Sequence, residues 1–257
     1  MSDWNANLYN RFGRERMLPV YDLINRLNNE SEIKRIIDIG CGSGLSTIPL
    51  RNKWASSEIV GVDYSENMLQ KAKELNMDIQ WIRRDCNNPL DDLGKFDLVF
   101  SNAALQWLFD QQAVIENLSR IVSNNGILAM QIPNFSEMQI SECIHNAAIS
   151  YDKDRFEGIE KDLYSSYSPQ YYYDALSRHF REINLWQTNY YHIMNDHQDI
   201  LNFIKSTGLR PYLERLCDSE QEKYLADVLE TIKLHYGKQK DGKVLFEFKR
   251  IFFVARL

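Results

Sequence analysis

The sequence lacks the features that would direct its chemistry to metals, membranes or nucleic acid. Its four cysteines, Cys41, Cys86, Cys143 and Cys217, form no C-x-x-C pair and have no metal-ligand spacing. That argues against a bound metal and suits a reducing compartment. No run approaches the ~18 consecutive apolar residues of a membrane span. Met1-Ser2-Asp3-Trp4-Asn5 has neither the basic nor the apolar region of a signal peptide, so a cytoplasmic protein without a membrane partner is expected. Positive charge is in deficit: 30 Lys and Arg stand against 36 Asp and Glu, a formal net charge of −6. A phosphate backbone calls for a basic surface, so nucleic acid is not an expected partner. Internal repeats, linkers and low-complexity tracts are also missing. A single domain with helical insertions fits a chain of 257 residues.

Glycine is sparse, yet three of the 11 glycines fall at alternate positions of one loop, Gly40-Cys41-Gly42-Ser43-Gly44. The preceding Arg35 to Ile39 is an apolar, β-branched run that predicts a buried parallel strand. Glycines let the backbone turn sharply and bring its N–H groups against a ligand, and the next helix would aim its positive end there. A nucleotide-type cofactor site at the carboxyl end of the first strand is the consequence. A dinucleotide fingerprint would need its third glycine at Leu45, and the loop has no lysine for a triphosphate. The pattern present, Asp38-x-Gly40-x-Gly42-x-Gly44, resembles the first motif of class I S-adenosylmethionine-dependent methyltransferases.

The rest of the chain supplies the strands and helices around that loop. Pro49 requires the first helix of the core to begin near Leu45 or Ser46, because a proline is tolerated only in a helix's first turn. Glu58 to Val62 is a second strand, and Asp63 at its end lies about 20 residues past the loop, where a carboxylate accepts ribose hydroxyls. Ser65 is the expected N-cap of a helix whose apolar face includes Met68, a residue that fits either the core or the adenine. Further strands are expected at 79–83, 96–102 and 127–132, with helix from Gln111 to Val122 and a turn at Asn124-Asn125-Gly126. This alternation predicts a parallel, doubly wound sheet. At the front, Pro19 is expected to open a helix carrying Val20, Leu23, Ile24 and Leu27. After residue 132 the rhythm breaks, and 133–181 and 197–236 read as helical insertions. Between them, Trp186, Thr188, Tyr190 and His192 share one face of a strand. Val244 to Leu257 is an apolar closing strand.

Taken over nearly its whole length, the sequence resembles the trans-aconitate 2-methyltransferase family. The similar blocks include Asp3-Trp4-Asn5 through Leu8-Tyr9, the glycine loop and Asn102-Ala103-Ala104-Leu105-Gln106-Trp107-Leu108. They continue through Trp186-x-Thr188-x-Tyr190-Tyr191-His192-x-Met194, Thr207-Gly208-Leu209-Arg210-Pro211 and Arg250-Ile251-Phe252-Phe253-Val254-Ala255-Arg256. The resemblance implies an α/β, Rossmann-like methyltransferase fold: a seven-stranded, mostly parallel sheet, an antiparallel last strand beside the fifth, and helical insertions over the active site. It divides the chain into an N-terminal lid or cap (1–30), a cofactor-binding core (31–132) and a substrate cap (133–181 and 197–236). It also implies S-adenosyl-L-methionine as cofactor, held by Asp38, Gly40, Cys41, Gly42 and Gly44, with Asp63, Tyr64 and Met68 at the ribose. Asp85, Cys86 and Asn102 complete that set, the first two at the adenine edge.

The implied reaction is esterification of one carboxylate of a small polycarboxylic acid, most specifically trans-aconitate. A carboxylate with a pKa near 4 is already ionised at pH 7 and needs no general base. The absence of a Ser/His/Asp or paired-carboxylate arrangement agrees with that. The site does need cations and donors, and the candidates are Arg16, Tyr190, His192 and Arg210, with Trp4 and Tyr9 as lid residues. One departure stands out: where the family usually carries a second arginine before the proline, this chain has Leu18. The alternatives are esterification of malonyl carrier protein, for which no dense basic docking patch is visible, and a nicotinamide oxidoreductase, against which Leu45 argues. A cofactor-binding protein without activity is a third. No obligatory protein partner is expected.

Overall fold

The computed structural model describes residues 12–27, 32–159 and 167–257. They divide into two compact units, each with its own core.

The first unit comprises Gly13–Pro133, Tyr167–Thr188 and Ile251–Leu257. Its strands are β1 (Arg35–Ile39), β2 (Glu58–Asp63), β3 (Gln80–Arg83), β4 (Phe96–Asn102) and β5 (Val122–Pro133), joined by parts of β6 (Glu182–Met194) and β7 (Val244–Arg256). The sheet order is β3-β2-β1-β4-β5-β7-β6. The first five strands are parallel, and the last pairings are antiparallel. The closing strand thus lies beside β5, as the family resemblance implies. β1 is buried along almost its whole length, with Ile37 opposite Val60 of β2 and Val99 of β4. Its isoleucines are therefore buried on both faces rather than at alternate positions, and the acid among them, Asp38, is buried with them. Because β2 lies on one side of β1 and β4 on the other, the chain reverses its winding there, and α/β sheets bind ligands at the carboxyl ends of strands at such a reversal.

Helices α1 (Gly13–Asn25), α2 (Thr47–Lys53), α3 (Glu66–Lys73), α4 (Gln111–Ile121) and α6 (Pro169–Ser177) belong to the same unit. Ser65 Oγ caps α3 by accepting from Met68 N at 3.2 Å. Pro49 sits in the first turn of α2, where its missing N–H costs nothing.

The structure corrects several boundaries. Helix α1 begins six residues before Pro19 and carries the proline inside it. The burial of Val20, Leu23 and Ile24 on one face outweighs the one hydrogen bond that the proline removes. Asn124-Asn125-Gly126 is not a turn that precedes the strand. The strand runs through it, and the register against β4 shifts between Phe96 and Leu98 to absorb the extra residues. Helix α6, expected among the insertions, packs instead on α4 in the sheet unit. Tyr172, wholly buried, donates to Gln111 Oε1 at 2.7 Å and stacks on Phe253.

The second unit comprises Phe12, 134–159 and Asn189–Arg250. In it α5 (Gln139–Phe156), α7 (His197–Lys205), the short α8 (Arg210–Leu213) and α9 (Asp218–His235) accompany the remaining parts of β6 and β7. Helix α9 packs on α5 and α7. Its Tyr224 stacks against Phe156 and Tyr212 and donates to Ile144 O at 3.2 Å, so this hydroxyl is satisfied within an aromatic core.

Candidate active site

The five positions after β1 form the glycine loop expected to hold the cofactor. Gly40, Gly42 and Gly44 have φ of 69°, 55° and 82°, the left-handed region in which only glycine is unstrained. A Cβ on Gly40 would lie 2.3 Å from Ala104 Cβ, and one on Gly44 2.7 Å from Leu75. Gly42 differs: a Cβ there would meet nothing within 4 Å. Two of the glycines therefore let the loop press against its own protein, and the third faces open space.

Two carboxylates fix the loop. Asp38 is fully buried, and its Oδ2 accepts from Ser46 Oγ at 3.0 Å and Thr47 Oγ1 at 2.6 Å, tying the start of α2 to β1. Its other oxygen, Oδ1, is buried without a hydrogen-bond partner. Burial pushes the Asp38 carboxyl up to about 7 against the lowering effect of the two hydroxyls, and the charge of Asp63 adds to the rise. Asp63 accepts from Gly42 N and from Ser65 N, both at 2.8 Å. One side chain thus joins the tip of the loop to the beginning of the β2–α3 turn.

The remaining expected residues lie around the same strand ends. Cys86 is buried beside Gly40, whose N–H favours its thiolate, yet burial pushes the thiol up to about 12 with help from Asp63 and Asp85. Burial also raises Cys41. Both are thiols at neutral pH, and neither is poised as a nucleophile. Asp85 accepts from Asn87 N at 3.0 Å and Asn87 Nδ2 at 2.8 Å, and Asn87 Oδ1 accepts from Phe109 N at 3.0 Å. Asn102 Oδ1 accepts from Gln131 Nε2 at 2.9 Å. Met68 is buried in the core, whereas Tyr64 is exposed and lies beneath the Arg83 guanidinium.

Sequence reasoning missed the turn after β4. Ala103 has a φ of 55°, held by its N–H to Gln131 O at 2.9 Å and by Gln106 Nε2, which donates to Ala103 O at 2.6 Å. This turn is what brings Ala104 against Gly40. Gln106 is itself buried, with Oε1 lacking a hydrogen-bond partner. Nothing local marks an alanine for a left-handed turn, so the sequence carried no signal for it.

The methyltransferase domain family matches residues 30–198. A trans-aconitate 2-methyltransferase of Escherichia coli is 34% identical over 256 residues, covering 100% of this chain and 99% of that protein. A second E. coli protein of the same name is 34% identical over 258 residues with the same coverage. The chain belongs to the trans-aconitate 2-methyltransferase family. It is a methyltransferase. Solved structures agree on the fold. A putative methyltransferase from Bacillus halodurans superposes with a TM-score of 0.58 at 13% identity, covering 92% of this chain and 97% of that one. Haemonchus contortus phosphoethanolamine N-methyltransferase 2, in complex with S-adenosyl-L-methionine, gives 0.56 at 17%, covering 92% and 52%.

Of the residues that the resemblance to the trans-aconitate 2-methyltransferases assigned to substrate, Trp4 and Tyr9 lie outside the described residues. Arg16 is on α1 in the sheet unit and is buried, while Leu18 is exposed. The strand face of four residues is divided between the units. Trp186 and Thr188 belong to the sheet unit, with Trp186 flat on Phe252, its ring centroid 5.0 Å away, and beneath Arg26. Tyr190 and His192 belong to the helical unit, where His192 is buried among Tyr190, Phe203, Phe246 and Phe248. Arg210, in the same unit, pairs with Glu214 at 3.4 Å. Among the described residues no group of three His, Cys, Asp or Glu could hold a metal, and no helix is long and apolar enough to cross a membrane.

Proposed function

We propose that the chain transfers the methyl group of S-adenosylmethionine to one carboxylate of trans-aconitate, giving a monomethyl ester. The observation that carries this reading is the end-to-end similarity to E. coli trans-aconitate 2-methyltransferases. The four dispersed free thiols suit a cytoplasmic setting.

The residues present fit the cofactor. The open side of the loop at Gly42 gives room for its amino-acid part, and the unpartnered, buried Asp38 Oδ1 is an acceptor for which a donor is wanted. Asp63 takes the ribose, since its carboxylate stands at the end of β2 against the tip of the glycine loop. Asp85 and Cys86 border the adenine, and Asn102 closes the far side. When bound, S-adenosylmethionine supplies a methyl group activated by a positively charged sulfur.

The chain's own contribution is positioning. The nucleophile is a carboxylate already ionised at neutral pH, so no residue has to remove a proton. The raised pKa values of Cys41 and Cys86 agree, because neither thiol competes for the methyl group. Arg16, Tyr190, His192 and Arg210 are the candidates to provide charge and hydrogen bonds to the acid. They hold one oxygen in line with the methyl carbon and strip its water.

The test is ester formation by the purified protein with S-adenosylmethionine and trans-aconitate, cis-aconitate, citrate, isopropylmalate or malonyl carrier protein. Trans-aconitate is expected to give the highest kcat/KM. Turnover of carrier protein alone, or of no acid, would overturn the reading.

A further inference from the structure

We propose that Asn87 is a positioning residue for the cofactor: it clamps the Asp85 carboxylate so that one oxygen faces the 6-amino group of adenine, and thereby sets the preference for adenine over a 6-oxopurine. The inference rests on the reading above that Asp85 borders the adenine, and it adds the residue that aims it.

The turn after β3 has a defined shape. Arg84 donates its N–H to Asp63 O at 3.0 Å, so Asp85 leaves β3 beside the acid expected at the ribose. Asn88 then donates its N–H to Asp85 O at 3.1 Å and closes a tight turn. Within that turn Asn87 gives the Asp85 side chain two donors, its N–H at 3.0 Å and its Nδ2 at 2.8 Å, both on Oδ1. Among the described residues no donor reaches Oδ2. Asp85 is part-buried and Oδ2 is not sealed within the protein, so a ligand can reach it.

The second donor matters because the first is weak as a constraint. A single backbone bond of this kind is an ordinary Asx turn, and the Asp χ2 torsion has a broad, two-fold profile that lets the carboxyl group swing. The Nδ2 bond removes that freedom, since turning the group now breaks two bonds. Asn87 is fixed in its own turn. Its Oδ1 accepts from Phe109 N at 3.0 Å, in the loop between β4 and α4. The reverse orientation of the amide would set oxygen against carboxylate and NH2 against N–H, so only one orientation serves. The Phe109 ring is exposed, and its loop is held at this point through the main chain. Asn87 thus joins the loop after β3 to the loop after β4, at the strand ends where α/β sheets bind ligands. All of these residues belong to the sheet unit.

The chemistry follows from the two partners. A carboxylate offers acceptors only, and the 6-amino group of adenine offers two donors. A 6-oxopurine puts a carbonyl oxygen at that place, which a fixed carboxylate repels and a loose one turns away from. Discrimination therefore depends on how rigidly Asp85 is held, and Asn87 supplies the rigidity.

The test measures the dissociation constants of S-adenosylhomocysteine and of S-inosylhomocysteine, its 6-oxopurine analogue, by calorimetry on parent, Asn87→Ala, Asn87→Asp and Asp85→Ala. The parent should prefer the adenosyl compound at least about 100-fold. Asn87→Ala should lower that preference about 10-fold or more, and so should Asp85→Ala. Asn87→Asp keeps the acceptor for Phe109 N–H but sets a second carboxylate against Asp85. At alkaline pH, where carboxylates are charged, it should lose as much. An Asn87→Ala protein that binds both compounds more weakly in equal measure would overturn the proposal, since a residue that only braces the fold acts on both alike. Full preference in Asn87→Asp, or a parent without preference, would do the same. If Asp85→Ala retains the parent's preference, the adenine reading fails and this inference with it. A loss in Asp85→Ala alone refutes only this inference. Should the Asn87 variants fail to fold, a crystal structure of the parent with S-adenosylhomocysteine decides. Asp85 Oδ2 on the 6-amino group with Oδ1 still on Asn87 supports the proposal, and an amino group bound elsewhere ends it.

Discussion

Gly42 N–H donates to Asp63 Oδ2 at 2.8 Å, so the acid at the end of β2 holds the tip of the glycine loop that comes after β1. The carboxylate expected to bind ribose thus also braces the loop proposed to hold the rest of the cofactor. A single substitution there acts on both.

Asp63→Ala should weaken S-adenosylhomocysteine binding by about 1.5–3 kcal/mol, the worth of charge-assisted hydrogen bonds. It should also lower Tm, because Gly42 N and Ser65 N lose their acceptor. Calorimetry and a thermal scan measure the two effects. Unchanged affinity would show that Asp63 is a loop brace and nothing more.

The loop glycines should separate stability from binding. Gly40→Ala combines a left-handed φ with a 2.3 Å overlap on Ala104, and should cost more than about 3 kcal/mol of stability. Gly42→Ala meets no atom and bears only the backbone cost of about 1–2 kcal/mol. Its methyl group would enter the space assigned to the cofactor, so affinity should fall about 10-fold or more. Denaturant melts with and without S-adenosylhomocysteine test both; full affinity in Gly42→Ala would place the cofactor elsewhere.

Asp38 makes stability depend on pH. Its pKa of about 7 in the fold lies above the usual 3.8, so between those values the folded protein keeps a proton that the unfolded chain has released. The Asp38 contribution to stability therefore declines as pH rises through that window and has been lost above it. Asp38→Asn does not titrate. From pH 4 to pH 8 its stability relative to the parent should rise by up to ~4 kcal/mol, from about 1.4 kcal/mol per factor of ten in proton affinity. Parallel pH curves from urea unfolding would contradict this.

Arg210→Ala distinguishes a substrate contact from a surface pair. A partly exposed pair at i,i+4 is worth about 0.5 kcal/mol, so loss of the Glu214 partner alone would barely move Tm and leave catalysis intact. If Arg210 also meets a carboxylate of the acid, kcat/KM should fall roughly 30-fold or more with cofactor affinity preserved.

The parts of this protein that short-range chemistry governs were legible in advance. Pro49 set the start of α2 to within two residues, Ser65 marked the cap of α3, and three spaced glycines announced a loop of left-handed turns. Ile36, Ile37 and Ile39 with their flanking elements were enough for a parallel sheet, whereas the place of the last strand beside β5 came from the family resemblance. Pro19 misled because its penalty is local, about one hydrogen bond, while the apolar face that keeps α1 helical is buried by distant residues.

The sequence by itself determined the strand–loop–helix frame, the loop's glycines and the acids at the ends of β1 and β2. Each of these comes from φ preferences, capping and periodicity within a few residues of chain. Only the tertiary structure decided that α6 packs on α4, that Tyr190 and His192 belong to the helical unit, and that Ala103 turns left-handed to meet Gly40. It also decided that Arg250, rather than any of the other arginines beyond β5, is the one sealed from water. Burial is a property of what many separate segments bring to one place. An arginine between Lys249 and Ile251 has the same local chemistry whether it ends on the surface or beneath an aromatic cluster.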